Sequence, residues 1–249
     1  MLIMATSMKY LACNSRYPSS KVFMSKYNKA LIIIPARGGS KGIKDKNIYP
    51  LNDKPLIYYT INAAKNSKLC GNLIVSTDSD KISNTAKSYG AEVIKRPCHL
   101  SGDFSKSEDA LLHVMNTLKE NKIPIQEWTI FIQCTSPLIL SEDIDKAMNI
   151  AITNSYDSVF SVYKYHFAGL WEKKQNNILP LNYDPYQRPM RQEKDNIFVE
   201  NGALYLIKSN LFLQTKNRFS NNCGVHIMPF ERSLQVDTLD DIKLIERLI

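Results

Sequence analysis

Two rhythms of apolar positions alternate along this chain. Short runs of consecutive apolar, often β-branched residues are separated by longer stretches in which apolar residues return every third or fourth position. The first pattern predicts buried strands and the second amphipathic helices. Strands are predicted at 31–34, 73–77, 92–95, 129–133 and 158–162. Helices are predicted at 55–68, with Leu56, Tyr59 and Ala63 on one face and Pro55 at the start, and at 80–89, ended by Gly90. Further helices are predicted at 108–120, with Leu111, Leu112, Met115 and Leu118 inward, and at 142–153, with acidic residues in the first turn.

Strand and helix in strict alternation imply an α/β fold, a mainly parallel sheet with helices on both faces. Ligands of such sheets bind beyond the carboxyl ends of the strands. Arg37, Asp78, Arg96 and Gln133 each stand at the end of a predicted strand, so the pattern alone gathers them at one edge.

The alternation breaks at 163–200, where Tyr163, Tyr165, His166, Phe167, Trp171, Tyr183 and Tyr186 are interspersed with Asn and Pro. The segment is too long for an idle loop, and it reads as an insertion forming a substrate wall or a contact between subunits. Residues 1–28 lack both rhythms. They are basic and free of acidic residues, and read as an N-terminal extension, disordered or targeting, with Met24 as an alternative start. Residues 29–249 are expected to form one domain carrying the insertion.

Charge changes the picture less than its total suggests. The formal charge is +8, but Lys9, Arg16, Lys21, Lys26 and Lys29 supply five of those charges, which leaves +3 for the rest. Basic residues do not form a stripe interleaved with aromatics, which argues against a nucleic-acid partner. No apolar stretch is long enough to span a bilayer. The five cysteines are scattered and form no Cys-x-x-Cys pair, which fits reduced thiols and a cytoplasmic location. Cys134, at a strand end, reads as a small core residue. The four histidines share no spacing with a serine nucleophile, so a Ser-His-Asp hydrolase is not supported.

The candidate chemistry lies in Ile34-Pro35-Ala36-Arg37-Gly38-Gly39-Ser40-Lys41-Gly42-Ile43-Lys44-Asp45-Lys46-Asn47. Adjacent glycines let a backbone approach a ligand closely. Free N–H groups and interleaved cations after a strand suit a triphosphate. A solvated basic loop is the plainer alternative. The Walker loop is excluded, because no Gly-Lys-Ser/Thr closes the segment.

With four further motifs in order, this loop resembles the acylneuraminate cytidylyltransferases, also called CMP-sialic acid synthetases. The others are Val75-Ser76-Thr77-Asp78, Arg96-Pro97-Cys98-His99-Leu100, Gln133-Cys134-Thr135-Ser136-Pro137-Leu138, and Asn201-Gly202-Ala203-Leu204-Tyr205 with Arg191-Gln192 upstream. The tail Val236-Asp237-Thr238-Leu239-Asp240-Asp241 follows. The resemblance runs from about residue 29 to the C-terminus. It implies a Rossmann-like nucleotidyltransferase fold with a β-rich dimerisation arm, and a homodimer. It also implies transfer of CMP from CTP to a nine-carbon α-keto acid sugar, with release of pyrophosphate. Arg37 and Lys46 would neutralise the phosphates and act in catalysis. Gly38 and Gly39 would present N–H groups, Asn47 would touch the nucleoside, and Arg96 with Ser107 would read the base. Gln133, Arg191, Asn201 and Tyr205 would hold the sugar, with Arg188 a competitor for Arg191. Asp237 would bind Mg²⁺, for which Mn²⁺ could substitute.

Three positions depart from that pattern. Gln235 stands where the family commonly has the first of two tail carboxylates, and on that ground an aspartate at 235 is expected to be tolerated. Ile139 stands at a commonly basic position, and no lysine lies near Gly169-Leu170-Trp171. These changes leave the sugar open among N-acetylneuraminate, legionaminate, pseudaminate and relatives. The rival reading is a catalytically silent nucleotide-binding homologue with a regulatory or scaffold role. Asp240 and Asp241 read as first-turn charges of a last helix, with Thr238-x-x-Asp241 a capping box.

Overall fold

The computed structural model describes residues 29–165, 169–188, 190 and 197–249. Its centre is a seven-stranded sheet. The strands are β1 (Ala30–Pro35), β4 (Cys70–Thr77), β5 (Glu92–Lys95), β6 (Trp128–Ile132), β7 (Ser158–Lys164), β10 (Phe198–Lys208) and β11 (Cys223–Ile227). They lie in the order β11-β7-β10-β6-β1-β4-β5. β1 is parallel to both β4 and β6, β4 to β5, and β7 to β11, while β10 runs antiparallel to β6 and β7. One reversed strand thus stands among six parallel ones. Two short hairpins complete the strands: β2 (Pro50–Leu51) with β3 (Lys54–Pro55), and β8 (Trp171–Lys174) with β9 (Asn177–Pro180).

Alternation along β1 explains the layers, because successive side chains of a strand point to opposite faces. Ile32 and Ile34 join one core cluster and Leu31 and Ile33 the other, and all four are fully buried. The first cluster is closed by α1 (Leu56–Asn66), α2 (Asp80–Ser88), α4 (Ser141–Thr153) and α6 (Leu239–Ile245). The second is closed by α3 (Ser107–Glu120) and α5 (Ser209–Thr215). Each fully buried Ile or Leu contributes roughly 1.5–3 kcal/mol.

The α/β expectation is met, and the predicted elements fall within a few residues of the observed ones. Ser79 caps α2 by accepting from the Ile82 amide, and Gly90, at φ +86°, ends the turn after it. The capping box at Thr238 and Asp241 opens α6. Leu112, expected inward on α3, is only partly buried, while Val114 is fully so. Within the predicted insertion, the described residues form the β8–β9 hairpin before the chain enters β10. Asn201-Gly202, which on its own could be a hairpin turn, lies inside β10. The pairing with β7 shifts register between Glu200 and Tyr205, and Gly202 has φ +70°. It is a kink in a strand. Among the described residues no helix is long and apolar enough to cross a membrane.

A buried ionic cluster fastens α4 to the chain after β11. The Asp143 carboxylate is 1% exposed. It accepts from the Leu140 amide at 2.9 Å, from Arg232 through both guanidinium nitrogens, and meets His226 Nε2 at 3.0 Å. Burial alone pushes this carboxyl up, but His226, Arg232 and the amide together hold it well below the usual carboxylate range. A depressed folded-state pKa stabilises above the unfolded value, and that stability disappears as pH falls through the folded value. Asp143→Asn is therefore expected to lower stability by roughly 3 kcal/mol near neutrality, as breaking a buried pair does. The difference should shrink as pH drops below the ordinary carboxylate range, and urea unfolding at a series of pH values measures it.

Candidate active site

A cavity of about 440 Å³ opens at the carboxyl ends of β1, β5 and β6 and is lined by Arg37, Lys46, Asn47, Arg96, Ser107, Gln133 and Asp237, with Gly39 and Lys41. Parallel packing brings these residues together from positions up to 200 apart in the sequence.

The loop after β1 forms one wall. Asn47 is buried, and its side-chain amide donates to the Arg37 carbonyl at 2.9 Å, so it braces the loop from inside. The Gly38 amide donates to Asp78 Oδ1 at 2.8 Å, which fixes the loop to the end of β4. Gly39 has no atom within 4 Å of where a Cβ would stand, so its backbone is open to a ligand. A Cβ on Gly42 would lie 2.6 Å from the Asp237 carbonyl oxygen, so only glycine lets the loop pass this close to the tail.

The cations on the rim are matched by carboxylates. Arg37 Nη1 donates to the Gly102 carbonyl at 2.7 Å and lies 3.4 Å from Asp103, and Lys41 pairs with the same Asp103 at 2.8 Å. Lys46 Nζ donates to the Val236 carbonyl and to Asp237 Oδ1, both at 2.9 Å. Lys44 is exposed and lies outside the cavity lining.

Arg96 is the exception. It is 5% exposed, and its Nε and Nη2 have no hydrogen-bond partner. Burial lowers its pKa from the ordinary value, Asp78 opposes that, and Arg37 adds to it. A buried guanidinium with two unsatisfied nitrogens is costly unless something else accepts from them. Ser107, at the start of α3, lines the same cavity, and the helix dipole there favours an electron-rich group.

The predicted sugar residues divide. Gln133 lines the cavity. Asn201 is buried, and its amide is engaged inside the fold: Oδ1 accepts from Ser161 Oγ at 2.5 Å and Nδ2 donates to Ser233 Oγ at 2.9 Å. Tyr205 is also buried. Its ring stacks on Phe131 at 5.3 Å and its hydroxyl donates to Glu200. Burial, with Glu200 beside it, raises its pKa. Neither residue reaches the cavity lining, and both act here as supports for β10. Arg188 is exposed, and Arg191 lies outside the described residues.

Asp103, Lys41 and Gln235 acquire roles that their local sequence only partly signalled. Gln235 Nε2 donates to the Asn201 carbonyl at 2.5 Å and to Gln133 Oε1 at 3.2 Å. An aspartate at 235 could donate to neither acceptor, so the tolerated substitution expected there would lose both of these bonds. Cys134 is buried in the core, and burial pushes its thiol up to about 12.

A basic cavity of this kind, at the carboxyl edge of a Rossmann-like sheet, defines a nucleotide-handling protein. The cytidylyltransferase family model matches residues 31–248. A Campylobacter coli protein named post-translational flagellin modification protein B is 33% identical over 89% of this chain and 95% of its own length. The N-acylneuraminate cytidylyltransferase of Escherichia coli O18:K1:H7 is 33% identical over 87% of this chain and 51% of its own length, so the chain spans about half of that relative. Among solved structures, CMP:2-keto-3-deoxy-manno-octonic acid synthetase complexed with CTP superposes with a TM-score of 0.65 at 17% identity, over 89% of this chain and 98% of that one. This last likeness concerns the fold alone. The chain belongs to the cytidylyltransferase family, and on that membership is a CTP-dependent nucleotidyltransferase.

Gly42→Ala is expected to lower stability by about 1–3 kcal/mol, the usual range for overpacking. Gly39→Ala should leave the unfolding midpoint unchanged, because its Cβ meets nothing. Identical urea midpoints for the two variants would contradict the contact between loop and tail.

Proposed function

We propose that this protein transfers CMP from CTP to a nine-carbon α-keto acid sugar of the acylneuraminate type and releases pyrophosphate. The observation that carries the reading is Arg96, a buried arginine lining the cavity with two nitrogens in need of an acceptor. The carbonyl oxygen of a cytosine is such an acceptor, and Ser107 lines the same cavity. Support for the sugar class comes from the curated relatives, several of which are named N-acylneuraminate cytidylyltransferases.

In this reading the acceptor's anomeric hydroxyl oxygen attacks the α-phosphorus. A new P–O bond forms, the bond from the α-phosphorus to the bridging oxygen breaks and its electron pair leaves with pyrophosphate, and the hydroxyl proton is released to solvent. Phosphoryl chemistry of this kind needs positioning and charge neutralisation more than covalent help. Arg37 and Lys46 supply positive charge at the cavity wall, and the open Gly39 backbone lets the phosphates approach. Gln133 faces the acceptor. Arg191, which matches the family's carboxylate-binding arginine, completes the sugar side in this proposal.

Mg²⁺ fits the residues present in a limited way. Among the described residues no group of three His, Cys, Asp or Glu side chains could hold a metal. Asp237 offers one exposed carboxylate at the cavity, and Mg²⁺ commonly accepts one or two carboxylates together with waters and substrate phosphates. When bound, the ion supplies charge neutralisation on the phosphate oxygens. Asp103 and Asp78 are already tied to the loop after β1.

A homodimer is part of the proposal. The hairpin region exposes Trp171, Ile178, Leu179 and Leu181, each between 47% and 63% accessible. Exposed apolar side chains concentrated on one short hairpin fit a subunit contact.

The deciding assay is pyrophosphate release from CTP with a panel of nonulosonic acids. CTP binding without release for any acceptor would favour the silent homologue. Arg96→Ala is expected to weaken CTP binding by roughly 1.5–3 kcal/mol, as loss of bonds to a charged group does, with the melting temperature nearly unchanged. Calorimetry with CTP, alongside a thermal melt, separates the two effects. Unchanged affinity with reduced stability would make Arg96 structural. Asp237→Asn should nearly abolish turnover at any Mg²⁺ concentration, as initial rates across a Mg²⁺ titration would reveal.

A further inference from the structure

The cavity wall at Gln133 has a defined hydrogen-bond polarity, and the tail sets it. The two ends of a side-chain amide are told apart only by their partners. Gln235 has an unambiguous partner, because the Asn201 carbonyl oxygen 2.5 Å away can only accept. The Gln235 end facing it is therefore the nitrogen. That nitrogen's second hydrogen points to Gln133 at 3.2 Å, so the Gln133 atom it meets is the oxygen. Gln133 is thereby left with its Nε2 amide, which has no partner among the described residues, on a side chain that lines the cavity.

Gly202 makes this arrangement possible. It has φ +70°, and a Cβ there would overlap the Gln235 amide and lie 3.0 Å from Gln133 Oε1. The kink in β10 thus clears space for one amide to lie across two acceptors. The Asn201 side chain is held by Ser161 and Ser233, which braces the residue whose carbonyl starts the chain of polarity.

We propose that Gln235 is a positioning residue that turns the Gln133 amide nitrogen toward the cavity, making this wall a donor that selects an acceptor oxygen on the ligand. Assigning that oxygen, a hydroxyl or carboxylate oxygen, to the sugar acid rests on the function proposed above. The tail residue then tunes acceptor recognition through Gln133 without touching the acceptor. A glutamate at 235 keeps the shape and removes both hydrogens. Gln133 then gains by flipping to donate to it, and the wall presents an oxygen in place of a nitrogen. Gln133→Glu reaches the same end differently, since it keeps the bond from Gln235 and puts a carboxylate oxygen toward the cavity.

The test combines steady-state kinetics, CTP calorimetry and NMR of side-chain amides in Gln235→Glu and Gln133→Glu. In both variants the acceptor KM is expected to rise roughly tenfold or more, the scale of one mispaired polar group, while CTP affinity stays within about twofold. In Gln235→Glu the Gln133 amide resonances should also shift. A CTP affinity that falls while the acceptor KM holds would overturn the proposal, as would Gln133 resonances that stay in place. If Gln235→Glu fails to fold, Gln133→Glu still decides, and an unchanged acceptor KM there overturns the proposal. A wild-type protein that binds CTP but turns over no sugar acid would remove the functional reading alone. The amide resonances would then decide the polarity by themselves.

Discussion

One lysine joins the two ends of the fold. Lys46, in the first loop, donates to the Val236 carbonyl and the Asp237 carboxylate, across 190 residues of sequence. The Val236 amide in turn donates to the Thr135 carbonyl in the loop after β6 at 2.9 Å, and the Asp237 carbonyl packs against Gly42. Three loops that belong to different parts of the chain therefore behave as one wall. Loops alone are poor holders of a reactive geometry, and binding sites need side chains fixed by a surrounding shell. Here that shell is the tail.

The charges of the cavity divide into exchangeable and fixed. Arg37 and Lys41 share Asp103, whose side chain is 44% exposed, and Lys46 holds Asp237, whose side chain is 71% exposed. Ion pairs open to water contribute little stability. An incoming anion can therefore take the place of Asp103 at small cost, whereas Lys46, whose side chain is 15% exposed and also holds the Val236 carbonyl, stays tied to the tail. Arg96 has no such placeholder, because its unsatisfied nitrogens are buried. The rim cations already have partners, whereas the interior arginine still lacks an acceptor.

Sequence alone exposed much of this and missed the rest for physical reasons. The strands of the parallel half were legible because they are buried on both faces, so Leu31 to Ile34 read as an unbroken apolar run. The same pattern put Arg37, Arg96 and Gln133 at one edge, where all three line the cavity. β10 was illegible: its start, Phe198-Val199-Glu200-Asn201-Gly202, carries a polar kink that mimics a turn, and its partners lie far away in the chain. Asn201 and Tyr205 sit in a motif associated with sugar binding, yet β10 turns both inward, where Ser161, Ser233 and Glu200 engage them. Their neighbours in sequence could not reveal those partners. The role of Gln235 is set by residues 34 and 102 positions away, so it read only as a missing carboxylate.

Three consecutive tail residues therefore serve three parts of the cavity. Gln235 donates to Gln133, Val236 is tied to the loops after β1 and β6, and Asp237 pairs with Lys46. The segment is anchored just upstream, where Arg232 is clamped to Asp143 and Ser233 to Asn201. Groups that share one short backbone segment cannot be perturbed independently, and substitutions among them should not add. Arg96 lies outside that segment, just after β5. Under the proposed function, base recognition by Arg96 is thus separate from the phosphate and acceptor side, whose groups share the tail.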